Sequence, residues 1–253
     1  MIGQISKLVK LDSLLTEVKL TRFNSLLPVK IDVLDQLGNS RYKLLVGTKK
    51  LETKSNMKLD VGESYWGVLK DDKTKGLTLS NLLKQPKLLK NAKFIPKFSS
   101  TQLEAILKED KPKEQMKIAL LEHLSKSTSK SEFMTTTSMI EALNAGVWTL
   151  VLKENQKEAI FQFKKKKSRK KGGKVEQEKL EFYAGFSNLG PVDGVIEIKD
   201  DRKVLSLYLY YESSLNLLKN EIESIDLDVR LYKKDKTIEP LWSVMPTLLD
   251  VRG

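Results

Sequence analysis

The stretch that decides the fold is Leu180 to Leu231, LEFYAGFSNLGPVDGVIEIKDDRKVLSLYLYYESSLNLLKNEIESIDLDVRL. Phe182, Ala184 and Phe186 alternate with polar or small residues before the turn Asn188-Leu189-Gly190-Pro191-Val192. Val192, Gly194, Ile196 and Ile198 alternate after it, and this period of two is that of half-buried strands. Asp200-Asp201-Arg202 then turns the chain into a segment with Leu205, Leu207 and Leu209 on one face and Tyr208 and Tyr210 on the other. Leu215, Leu218, Ile222 and Ile225 follow at helical spacing, and Leu227, Val229 and Leu231 close with a strand. A small sheet covered by one amphipathic helix satisfies all these faces at once.

Upstream, Val147 to Phe163 reads as a hairpin turning near Glu154-Asn155 and is assigned to the same domain. Between it and Leu180 lies KKKKSRKKGGK, residues 164–174, which carries +8 of the formal +12 of the whole chain. Like charges at this density repel, so the run is expected to be an extended, mobile connection. Lys164, Lys165, Lys166, Lys167, Arg169, Lys170, Lys171 and Lys174 are candidates for contact with an acidic partner or with phosphates, an attraction that salt screens. The plainer role is a solvated loop that keeps a sheet edge from pairing. No aromatic residue interrupts the run, which argues against stacking on single-stranded bases.

The amino-terminal part is of a different kind. Ile5, Leu8, Leu11, Leu15 and Val18 mark an amphipathic helix, after which Pro28 opens a β-rich region. Val29-Ile31-Val33, Tyr42 to Val46, Lys49 to Lys54, Ser64 to Leu69 and Leu77 to Leu79 are five short strands. So few residues bury a face only by closing on themselves, so an OB-like or SH3-like barrel is expected. Tyr65 and Trp66 point to opposite faces, and Trp66 is expected in a core. Helices follow: a short one from Ser80 that stops before Pro96, one with the capping box Thr101-Gln102-Leu103-Glu104, one with Pro112 in its first turn, and one from Phe133 to Asn144 with Gly146 as a left-handed cap. The expected organisation is α+β: residues 1–92 an amino-terminal helix plus a small β-barrel-like domain, 93–146 a helical connector, and 147–253 a β-sheet domain covered by one helix.

The residue types that make active sites are scarce. Cysteine is absent, which removes disulfides, thiolate metal sites and thiol nucleophiles. The single histidine, His123, lies on the polar side of a helical pattern and is expected to be solvated. No phosphate-binding, dinucleotide, serine-hydrolase or zinc-protease motif occurs, and Asp200-Asp201, Glu221-Glu223 and Asp226-Asp228 fall in turns or on solvent faces. A non-enzymatic protein with no cofactor and no metal is expected. No apolar run reaches the length of an export signal or a membrane span, so a cytoplasmic protein without membrane insertion is expected.

The order of elements from Leu180 onward resembles the carboxy-terminal domain of flagellar hook-length control proteins. That family has a strand, a Leu-Gly turn, two alternating strands, a helix bearing leucines or isoleucines, and a final strand. Leu189-Gly190 with Val192 is similar to its turn signature, and Leu215, Leu218 and Ile222 to its helix register. Unlike the family, this chain has no long Gln-, Ser- or Pro-rich measuring region. The resemblance therefore implies docking on the flagellar export gate or on a secreted subunit, with passage of the chain itself through that export system as a further expectation, rather than length measurement. Leu189, Gly190 and Val192 are candidate partner residues on this basis. The apolar tail supplies Leu241, Trp242 and Met245, which either fold back or serve as anchors for a protein partner. A nucleic-acid-binding module built from barrel and lysine run, and an export chaperone, are the alternatives.

Overall fold

The computed structural model describes residues 27–72, 76–154, 157–169, 176–199, 202–221 and 228–243. The expected amino-terminal helix lies outside them, as do Lys170, Lys171, Lys174, Ile222, Ile225, Leu227 and Met245. Strands β1 (Val29–Gly38), β2 (Arg41–Val46), β3 (Lys49–Lys54), β4 (Ser64–Asp72) and β5 (Gly76–Lys84) close a barrel in the order β1-β2-β3-β5-β4. Alternation builds its interior: Val29, Ile31 and Val33 of β1 and Tyr42, Leu44 and Val46 of β2 are buried, with Tyr65 and Leu69 from β4. β1 is antiparallel to both β2 and β4, while β3 meets β5 in parallel. Of the two expected barrel types, this order is that of the OB type. The Tyr42 hydroxyl accepts from the Leu59 amide at 3.3 Å and the Tyr65 hydroxyl from the Asp60 amide at 3.0 Å, fastening the β3–β4 connection over the barrel.

The helix expected from Ser80 does not form. The chain stays extended through Lys84, with Asn81 left-handed at φ 52° where the β4–β5 register shifts between Trp66 and Val68. Pairing with β4 outweighs local helix preference: the bulge takes up the extra residue and sets Leu83 opposite Trp66. A single helical turn, α1 (Lys87–Lys90), comes only after Pro86.

Seven strands form the second layer, in the order β12-β11-β10-β9-β8-β7-β6. They are β6 (Lys97–Phe98), β7 (Val147–Glu154), β8 (Lys157–Arg169), β9 (Glu176–Phe186), β10 (Gly190–Lys199), β11 (Arg202–Leu209) and β12 (Asp228–Lys233). The β7–β8 hairpin closes where expected, with Glu154 opposite Lys157. α2 (Ser100–Lys108), α3 (Pro112–Ser125) and α4 (Lys130–Asn144) lie between β6 and β7, and α5 (Glu212–Glu221) connects β11 to the parallel β12. Pro112 opens α3 and Gly146, at φ 83°, follows α4, both as expected. The capping box sits two residues earlier than expected. The Ser99 hydroxyl accepts from the Gln102 amide and the Gln102 side chain accepts from the Ser99 amide, so Thr101 is already helical.

The helical middle packs on the sheet, as a connector between β units is expected to do. Leu103 of α2, Met116 and Leu120 of α3, and Met139 and Leu143 of α4 share one core with Leu150, Phe161, Phe182 and Leu207 of the sheet. Leu215 and Leu218 of α5 enter the same core beside Leu205, Leu207 and Leu209. An open sheet has two faces to bury, and one short helix covers only part of one.

Candidate interaction surfaces

The barrel and the sheet meet at Trp66. Its indole N–H donates to the Phe186 carbonyl at 2.8 Å and the side chain is 0% exposed, packed with Val68, Leu83 and Tyr211. Trp66 is therefore buried as expected, on the outer wall of the barrel rather than in its interior. The Tyr211 hydroxyl donates to the carbonyl of Asn81 at 3.0 Å, so the β5 bulge is what presents an acceptor to the sheet. Gly190 stands against the same ring at φ 78°, and a Cβ there would lie 2.7 Å from the Tyr211 ring. Leu189 and Val192 are 1% and 2% exposed. Leu189, Gly190 and Val192 thus act in the core and at the junction, and offer no surface to a partner; burying the turn closes the sheet onto the barrel.

Beyond β12 the chain crosses the sheet face opposite α2. The Lys234 amide donates to the Leu209 carbonyl at 2.8 Å, the Lys234 ammonium pairs with Asp193, and Ile238 is buried. Gln162, wholly buried in β8, clasps the far end: its Oε1 accepts from the Trp242 amide at 3.0 Å, and its Nε2 donates to the Trp242 carbonyl at 2.8 Å and to Thr149 Oγ1 at 3.1 Å. The Trp242 indole donates to Ser138 Oγ of α4 at 3.3 Å. Leu241 and Trp242 are half-buried in this strap, so the fold-back alternative describes them. Tyr183 is buried on the face the strap crosses; its hydroxyl has no hydrogen-bond partner among the described residues, and burial, then the nearby Glu239, pushes its pKa far above the usual 10. Sequence reasoning missed this clasp. Its one legible sign was a glutamine between Phe161 and Phe163 in an apolar strand.

The lysine run is also different from expectation. Lys164 to Arg169 are the last residues of β8, paired antiparallel with β9: Lys164 opposite Glu181, Lys167 opposite Glu178 and Arg169 opposite Glu176. Lys166 stands opposite Lys179, and each of the two has a carboxylate beside it. Lys166 Nζ lies 2.8 Å from Glu181 Oε1, and Lys179 pairs with Glu197. β7 ends its pairing opposite Lys164 and β10 opposite Lys179, so the last pairs of β8 and β9 form a two-stranded arm beyond the sheet. The structure therefore brings Lys164, Lys165, Lys166, Lys167 and Arg169 together on one strand, beginning two residues after Gln162.

His123 is not simply solvated. Its Nε2 is 3.1 Å from the Phe94 carbonyl and 3.6 Å from Glu132, tying α3 to the chain before β6 and to the start of α4. On the barrel, the only aromatic residue of β2 and β3 is Tyr42, which points inward; that wall has no base-stacking side chain. Asp60 and Lys84 form an exposed pair at 2.7 Å, and Lys84 holds the Asp60 carboxyl below its usual 3.8. Among the described residues no three His, Asp or Glu side chains are grouped to hold a metal, and no helix is long and apolar enough to cross a membrane. The chain matches no family model, no curated protein and no solved structure.

Proposed function

We propose that the chain is a non-enzymatic flagellar export or assembly protein of the hook-length control type, which docks on the export gate or on a secreted subunit and so influences hook length or substrate switching. The observation that carries this reading is the chain order from β9 to β12. A strand, the Leu189-Gly190 turn, two antiparallel strands, the α5 crossover and a parallel last strand follow one another as the resemblance implies. The Leu189-Gly190 turn acts inside the fold, so docking falls to exposed groups. The basic ribbon of β8 and β9 supplies them, and it suits an acidic protein face.

The test is genetic. A strain lacking this chain is expected to make hooks of uncontrolled length or flagella without filaments, measured by electron microscopy of purified hook-basal bodies. Complementation with K164E/K165E/K167E is expected to restore less control than the unaltered chain. Hooks and filaments of normal length in the deletion strain reject the reading.

The barrel's strand order favours a second reading, a nucleic-acid-binding module in which the ribbon tracks a backbone. The aromatic-free wall of β2 and β3 weighs against it. Binding to single- or double-stranded nucleic acid that falls steeply between low and physiological salt would establish it over the first.

A further inference from the structure

One straight row of polar side chains crosses the sheet. Pairing sets Tyr232 beside Tyr208, Tyr208 opposite Asp193, Asp193 opposite Tyr183, Tyr183 opposite Gln162 and Gln162 opposite Thr149. Each strand from β12 to β7 thus gives one member to the same face. Residues 234–242 run along this row with neither helix nor strand of their own. Every fourth residue engages it: the Lys234 ammonium pairs with Asp193, Ile238 is buried, and Trp242 meets Gln162 and Ser138. Asp235, Lys236, Thr237 and Glu239, in between, are exposed.

These contacts suit an exchangeable occupant. Gln162 holds the main chain of residue 242, accepting from its N–H at 3.0 Å and donating to its C=O at 2.8 Å, so the clasp reads an extended backbone. The fit is also incomplete: the Tyr183 hydroxyl and Asp193 Oδ1 are buried with no hydrogen-bond partner among the described residues, a cost that a better-matched segment removes. Lys234 is fixed on β11 and Trp242 on β8, three strand spacings or about 14 Å apart. The chain between them reaches roughly 26 Å when extended, so Trp242 can leave Gln162 while Lys234 stays. We infer that the row is a track for an extended peptide and that the strap is its resident, autoinhibitory occupant. The segment that displaces it belongs to a partner protein and repeats the strap's pattern: a basic residue, an aliphatic residue four positions on and a tryptophan eight positions on. Tethering holds the strap at about millimolar effective concentration, which closes the track to weak ligands. Neither the Leu189 turn nor the lysines of β8 take part, so the track stands apart from the flagellar reading.

The probe is the strap itself, a synthetic peptide of residues 234–243 with a fluorophore at its amino terminus. Trp242→Pro in the full chain removes the N–H that Gln162 binds and leaves every residue of the row in place. Fluorescence anisotropy is expected to show saturable binding to this variant, binding roughly tenfold or more weaker to the unaltered chain, and none to Trp242→Pro/Gln162→Leu. No binding to Trp242→Pro at millimolar peptide, equal binding to the unaltered chain, or binding that survives Gln162→Leu overturns the track. A second measurement needs no variant. With the three tryptophans of the unaltered chain replaced by 5-fluorotryptophan, excess unlabelled peptide is expected to move only the Trp242 fluorine resonance, toward its position in the free peptide. Three unmoved resonances overturn displacement.

Discussion

The barrel and the seven-stranded sheet solve the same problem in opposite ways. The barrel closes within Val29–Lys84, so its strand edges are paired, and its interior is filled by side chains from neighbouring strands. The sheet stays open. It draws α2 and α5 to one face and α4 and the Leu241-Trp242 strap to the other, from segments far apart in the chain. A closed surface needs only its own alternation, whereas an open one depends on whatever the rest of the chain can lay over it. The junction at Trp66 is where the two meet, and there a barrel side chain completes the hydrogen bonding of a sheet strand.

The largest test of this contrast is Trp66→Ala, expected to cost about 3–5 kcal/mol. The side chain is wholly buried and its loss also strips the Phe186 carbonyl of its donor. Urea unfolding followed by circular dichroism and by the remaining tryptophans should resolve two transitions where the unaltered chain has one. A single transition with an unchanged midpoint would show that Trp66 does not couple the barrel to the sheet.

Gln162→Leu comes next, at about 2 kcal/mol, because it removes three hydrogen bonds while leaving the sheet's apolar packing in place. The effect should be confined to the strap: trypsin should cut after Lys234 or Lys236 faster than in the unaltered chain, with the barrel intact. Equal cutting rates would mean that the Lys234 contacts, the Trp242 indole and apolar packing hold the strap without Gln162.

Tyr183→Phe should go the other way and stabilise the sheet by about 1 kcal/mol, since it removes a buried hydroxyl with no partner among the described residues. The sign with pH is fixed. The folded-state pKa is raised, so above the unfolded value near 10 the unfolded chain loses a proton that the folded chain keeps, and stability falls as pH rises. The variant should lose part of that alkaline decline, read from urea midpoints on either side of pH 10.

The smallest effect belongs to the barrel. Asp60→Asn breaks an exposed pair with Lys84, and its slight cost at neutral pH should disappear as pH falls through the depressed folded-state pKa, below 3.8. A large loss of barrel stability at neutral pH would contradict the view that alternation alone holds it.

Legibility followed the same division. The alternation of Val29-Ile31-Val33 and Tyr42-Leu44-Val46 was enough to place the barrel, and Phe182-Ala184-Phe186 with Leu205-Leu207-Leu209 placed the sheet. Ser80 to Lys84 was misjudged because β4 pairing and the Asn81 bulge override a local helical pattern. Along the chain the lysine run reads as a loop, because the carboxylate that pairs with Lys166, Glu181, belongs to the next strand. For the candidate surfaces the residue types were visible but their exposure was not. Leu189 and Val192 are buried and Trp242 is clasped by Gln162.

Sequence alone determined the periodicities, the turns that need Gly146 and Gly190, the absence of cysteine and the concentration of positive charge. These are local properties, set by backbone sterics and by the chemistry of neighbouring residues. Tertiary structure decided that the barrel closes in the OB order, that the lysines lie on a paired ribbon, that Trp66 joins two layers, and that Gln162 fastens the strap. Each of these depends on contacts between residues distant in the chain. Their energies come from burial and from hydrogen bonds completed only when the segments meet, so no single stretch records them.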